Sequence, residues 1–121
     1  MATLLVNTGR AVITNRLNSG GTIPQYVAWG TGAGTTAAAD TTLFTEVTPR
    51  ASGTVSQVTT STTNDTFQVV GTQTAAVNET ITNAGLFDAS TSGNLFVKGD
   101  FTGIALNTGD SIQFTFKVQF S

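Results

Sequence analysis

From Ile112 to Phe120 the chain alternates apolar and polar positions without a fault. Ile112, Phe114, Phe116, Val118 and Phe120 share one parity, and Gln113, Thr115, Lys117 and Gln119 share the other. Side chains on a strand point to opposite faces with a period of two. The segment therefore predicts a strand with an aliphatic-aromatic wall turned to a core and a polar face turned to water. Burying those five side chains would contribute at most roughly 8–15 kcal/mol. Weaker alternation predicts further strands at Gln25–Trp29, Ser52–Thr63, Thr66–Val77, Glu79–Phe87 and Leu95–Phe101. Turn chemistry separates them at Asn64-Asp65, Ser92-Gly93-Asn94 and Asn107-Thr108-Gly109-Asp110. Asn83-Ala84-Gly85 predicts a bulge or bend within its strand. Strands spaced about ten residues apart, with turns between them, define an antiparallel sandwich or barrel. The expected fold is all-β, an antiparallel, jelly-roll-like β-sandwich forming one domain over residues 1–121.

One short N-terminal helix is expected at Thr8–Leu17. Thr8 would cap it, Ile13 and Leu17 form an i, i+4 apolar pair, and Asn18-Ser19-Gly20-Gly21 would end it. Leu43, Phe44 and Val47 are spaced like one helical turn, so Thr41–Val47 reads as a short helix or tight turn. Pro49 would stop its extension.

Hydrophobic residues are 39% of the 121, enough for a modest core, but charged residues are only 10%. Soluble domains usually carry about 25%. Threonine supplies about a fifth of the chain, and it favours strands. A surface of Thr, Ser, Asn, Gln and Gly resists association weakly and suits a protein covered by others in an assembly. The net charge is −2, and the five cations Arg10, Arg16, Arg50, Lys98 and Lys117 do not cluster in sequence. That argues against direct nucleic-acid binding, which needs a basic stripe. No stretch has the ~18–20 apolar residues of a membrane span. The start, Met1 to Val6, lacks the basic-then-apolar order of an export signal. With no cysteine there is no disulfide framework or thiolate metal site, consistent with folding in a reducing cytosol.

The chain also lacks histidine, which removes the commonest general base and any Ser-His-Asp triad. Catalysis would have to come from two of Asp40, Glu46, Asp65, Glu79, Asp88, Asp100 and Asp110. Several of these sit in turns, where Asp serves the backbone, so the expectation is no enzyme and no cofactor. EF-hand spacing is absent, and a calcium site from Asp88, Asp100 and Asp110 would need the fold to gather them. Gly30-Thr31-Gly32-Ala33-Gly34 lacks the lysine of a phosphate loop and reads as a flexible connection. Asn64-Asp65-Thr66 and Asn78-Glu79-Thr80 match the glycosylation sequon, but read as turn and strand residues. Tyr26 and Trp29, the only Tyr and the only Trp, lie three apart and so face opposite sides of a regular strand. One would be core and the other a contact surface, unless both are core.

Four segments together carry a resemblance: Tyr26-Val27-Ala28-Trp29-Gly30-Thr31-Gly32; Asp40 to Val47 followed by Arg50; Ile81-Thr82-Asn83-Ala84-Gly85-Leu86-Phe87-Asp88; and the C-terminal Ile-x-Phe-x-Phe-x-Val-x-Phe-Ser. The chain resembles the small virion structural proteins of tailed bacteriophages, of the capsid decoration (cement) or the tail-fibre and tail-collar type. The resemblance implies a β-sandwich that assembles, often as a homotrimer, on a phage particle, with no catalytic constellation. The first expectation is a decoration protein on the capsid surface, bound to the major capsid protein and stabilising the head. The alternative is a tail-fibre, tail-collar or baseplate component partnered with tail proteins or a host receptor. In that alternative the loops Thr31–Asp40 and Ala89–Gly93 would form the recognition surface. Tyr26, Trp29, Leu43, Phe44 and Phe87 are the candidate assembly-interface residues.

Overall fold

Val27, Ala28 and Trp29 are all buried, although neighbouring strand residues point to opposite faces. Only a strand covered on both sides accounts for this. A computed structural model describes residues 3–121, and of the apolar start only Met1 and Ala2 fall outside it. The elements are β1 (Thr3–Leu5), α1 (Asn7–Leu17), β2 (Tyr26–Gly30), β3 (Glu46–Ser52), β4 (Thr54–Val58), β5 (Thr66–Thr74), β6 (Glu79–Phe87), β7 (Leu95–Leu106) and β8 (Ser111–Gln119). They form two sheets, a larger one in the order β1-β7-β6-β2-β3 and a smaller one in the order β4-β5-β8. Every pairing among the described residues is antiparallel. The architecture is the expected sandwich of two open sheets, and not a closed barrel.

The chain crosses between sheets at Gly53. A Cβ there would lie 2.5 Å from Val69 Cγ1, and the Gly53 amide donates to the Gln25 carbonyl at 2.7 Å. Any larger residue would push the layers apart.

The core between the sheets joins Val27, Leu86 and Val97 of the larger sheet to Val69, with Phe114 and Phe116 packed alongside. Trp29, Ile81, Ala84 and Leu106 continue it, and Trp29 meets Phe114 edge-to-face at 6.4 Å. Because Ala28 has the opposite parity to Val27 and Trp29, the cluster of Val6, Ala28, Leu43, Phe87 and Leu95 lies on the outer face of the larger sheet. The 31–45 connection reaches that cluster through Leu43.

Several expectations change in detail. Of the two readings of Thr41–Val47 the tight turn holds and the helix does not: Phe44-Thr45 form a turn, with Thr45 at φ 50°, and β3 begins at Glu46. Pro49 does not end the segment, because β3 is an edge strand, where a missing N–H is tolerated. β1 is added and β7 runs on to Leu106. Asn83-Ala84-Gly85 does not bulge but pairs in register with both β2 and β7, and the irregularities lie in β7, which carries extra residues between Asp100 and Ile104 and at Phe96. Helix α1 starts at Asn7 with Val6 at its N-cap. Thr8 does not cap it, since its hydroxyl donates to the Leu95 carbonyl at 2.7 Å and ties the helix to β7. Leu17 is exposed while Ile13 packs against the core. The wall of β8 is only half-covered: Ile112, Phe114, Phe116 and Val118 are half-buried, and Phe120 lies beyond the strand, 51% exposed.

Candidate functional site

Two buried cations anchor the loops that flank the outer cluster. Lys98, on β7, is fully buried. Its ammonium donates to Asp40 Oδ2 and to the Thr42 carbonyl, both at 2.9 Å. It also stands 3.3 Å from the centre of the Phe44 ring. A buried ammonium is costly unless its donors are satisfied. Here a carboxylate, a carbonyl and an aromatic face do so, and all three come from residues 40–44. The charge thus fixes that loop to the sheet. The Ala37 amide and the Lys98 ammonium both donate to Asp40 and hold its carboxyl below the usual range.

Asn83 makes the second attachment. Fully buried in β6, it accepts from the Phe44 amide and donates to the Phe44 carbonyl, each at 3.0 Å. One side-chain amide thus pairs with a backbone unit as a neighbouring strand would. The glycine run follows from this: Cβ atoms at Gly30 and Gly34 would fall 2.3 Å from the Phe44 carbonyl oxygen and 2.6 Å from the Phe44 ring. Those glycines let residues 30–34 lie directly against Phe44. The Gly32 amide donates to the Phe44 carbonyl at 3.0 Å. The run is a packed connection, with its backbone turned to the protein.

Arg50, on β3, holds the other loop. It pairs with Glu46 through two hydrogen bonds, Nε at 2.7 Å and Nη2 at 3.1 Å. Its Nη1 donates to the carbonyls of Ala89 at 2.8 Å and Ser92 at 2.6 Å. The guanidinium lies 3.6 Å from the centre of the Phe87 ring. The planar fork of arginine suits this combination of carboxylate, carbonyls and ring. Asp88 closes the same hairpin, accepting from the Asn94 backbone at 2.6 Å and the Asn94 side chain at 3.0 Å. Ser92 and Gly93 have φ of 53° and 74°, the left-handed geometry of a tight turn. The tips of both loops, residues 33–35, 37–39 and 90–94, are exposed and made of Ala, Gly, Ser, Thr and Asn.

Of the five candidate interface residues, Trp29, Leu43 and Phe87 are 2%, 5% and 2% exposed and pack within this chain. Tyr26 and Phe44 are half-buried. Tyr26 lies against the outer cluster and Trp29 in the core between the sheets, so the pair does face opposite sides. Sequence reasoning missed Lys98, Arg50 and Asn83, whose partners, apart from Glu46 on the same strand as Arg50, come from other segments. The Glu46/Arg50 spacing was the one available signal. Six of the seven acids are occupied structurally, and the exception is Glu79, whose Oε1 is buried without a hydrogen-bond partner. Asp65 accepts from the amides of Thr60, Ser61 and Thr62 at 2.8–3.0 Å, Asp110 from Asn107 at 2.8 Å, and Asp100 from Thr36 at 3.4 Å. Among the described residues no three acids gather as a metal site.

A family model described as podophage GP4 fiber I protein gp80 matches residues 8–118. The chain belongs to this family. It is therefore a small phage virion structural protein of the tail-fibre type, a family within the phage resemblance, which itself left shell and tail open. The fiber I family fits the tail alternative better than shell decoration. Searches of curated proteins and of solved structures find no match.

Proposed function

We propose that this chain is a tail-fibre component that takes part in attachment to the host, without catalytic turnover. The family match over residues 8–118 carries this reading. The loop architecture supports it. Binding surfaces commonly sit on exposed loops held by a rigid scaffold, and here Lys98, Asn83 and Arg50 clamp the bases of two loops whose tips are small and polar. Such tips suit a hydrogen-bonding receptor surface. The partners are then tail proteins on one side and a host receptor on the other. Identical copies assemble, three to a unit as the phage resemblance implies.

Deleting or stripping the protein from particles tests the placement. Adsorption to host cells should fall while heat-induced DNA release stays as in the intact particle. Unchanged adsorption with earlier DNA release would overturn the attachment reading and put the protein on the capsid surface.

A further inference from the structure

The two sheets have four edge strands, and three of them are blunted against pairing with another chain. β1 has three residues and β4 has five. β3 carries Pro49, and its pairing with β2 is interrupted between Val27 and Trp29. Short edges, proline and bulges are the usual protections of an open sheet. β8 has none of these. It runs nine residues without Gly or Pro, and pairs with β5 in unbroken register from Ser111↔Thr74 to Gln119↔Thr66. Among the described residues no strand pairs with its other side.

Beside this edge the sandwich is open. A groove of about 530 Å³ separates β8 from β1 and β7, lined by Leu4, Leu5, Phe101, Ile104, Phe114 and Phe116 among others. Phe114 and Phe116 stack with ring centres 6.0 Å apart, yet neither is fully buried. Among the described residues Lys117 is the single charged residue in the lining, and no acid contributes.

We propose that this open side, the β8 edge with its groove, is the surface on which a second copy of this chain packs. The proposal rests on the reading above that copies assemble, and it names the surface. Nine residues at about 3.4 Å each give a face ~30 Å long, and two layers about 10 Å apart with their side chains make it ~20 Å deep. Two copies meeting there would cover roughly 600 Å² each, about 1,200 Å² in all, the lower limit for a specific interface. A lone added strand would cover one layer only and fall short of that limit. Charge permits the contact as well, since the meeting faces carry one cation each and Lys117 has the solvent-facing parity of β8.

Sedimentation of the full chain at micromolar concentrations tests this. The natural chain should sediment as a multimer. Ile104→Glu places a carboxylate at the groove rim, at a residue already 42% exposed, so the fold should survive, as circular dichroism would verify. Association should weaken at least about tenfold, the loss of a substantial interface contact. Leu17→Glu, on the separate apolar patch with Ile23 and Phe120, should leave the mass unchanged. A monomeric natural chain, a multimeric Ile104→Glu or a monomeric Leu17→Glu would each overturn the proposal. These masses need no host cell. A chain that assembles through β8 but is dispensable for adsorption would sink the attachment reading alone.

Discussion

β6 and β8 are both nine-residue antiparallel strands, and they are covered in opposite ways. β6 lies between β2 and β7, and from Asn83 to Phe87 every residue is buried. Leu86 enters the core between the sheets while Phe87 enters the outer cluster. β8 lies at an edge, and its burial alternates between half-buried and exposed without ever becoming complete. Alternation reports that one face is apolar. It does not report whether the same chain covers that face. A continuous apolar run such as Ala84-Gly85-Leu86-Phe87 says more about burial, because both faces must be covered for it to be tolerated.

The difference should appear most sharply in truncations. Leu86→Ala removes a fully buried side chain and should cost about 2–5 kcal/mol. Urea unfolding followed by the fluorescence of Trp29, the only tryptophan, measures it. A loss below about 1 kcal/mol would mean that β6 is not the packed centre.

The clamp over the outer face should matter nearly as much. Asp40→Ala leaves the Lys98 ammonium buried with only the Thr42 carbonyl and the Phe44 ring. Breaking a buried pair costs about 3–5 kcal/mol, and since Asp40 keeps some contact with water (side chain 23% exposed) the expected loss is about 2–4 kcal/mol. Pairing the change with Lys98→Met should recover part of it, because the unpaired charge goes too. A double variant no more stable than Asp40→Ala would show that the buried charge was not the cost.

These two regions also separate what could be read in the sequence from what could not. The parity of β8, the turns at Ser92-Gly93 and Asn107–Asp110, and the sandwich itself were legible, because period-two alternation and turn chemistry are local. β3 was misread because Leu43, Phe44 and Val47 mimic a helical turn, while what makes Glu46–Ser52 a strand is pairing with β2. β1 is three residues held by β7, too short to show a period. The candidate site was the least legible part. Lys98 and Asp40 are 58 positions apart and Asn83 and Phe44 are 39 apart. The cations that looked scattered along the chain include the two that organise its loops.

Phe116→Ala sharpens the comparison from the side of β8. Phenylalanine is larger than leucine, and in a closed core its loss would cost about 3–5 kcal/mol. Phe116 is only half-buried beside the groove, so in the dilute monomer the expected cost is only about 1–2 kcal/mol. At concentrations where copies associate the apparent cost should grow, because binding to the folded form adds to stability by mass action. Chemical unfolding at two protein concentrations reads both quantities. A cost equal to that of a closed core in the dilute sample would show that β8 is covered by its own chain.

Acid should produce the smallest effect, and it divides the same two regions. Asp40 serves the loop over the larger sheet. Asp65 serves the turn between β4 and β5 in the smaller one, where its backbone carbonyl also accepts from the Phe120 amide at 2.9 Å, just past β8. Both carboxyls are held below their usual range, Asp40 first by the Ala37 amide and then by Lys98, Asp65 by the amides of Thr62 and Thr60. A folded carboxyl with a depressed pKa contributes stability that is present above the unfolded value, about 3.9 for Asp, and is lost as pH falls through the folded value. The melting temperature should therefore hold steady down to about pH 4 and decline below it. Asp65 is the more strongly depressed of the two, so the loop at Asp40 should loosen at a higher pH than the turn at Asp65. Amide exchange at Ala37 and at Ser61, followed down an acid series, would report each clamp separately, and loss of protection at Ser61 before Ala37 would reverse the assignment.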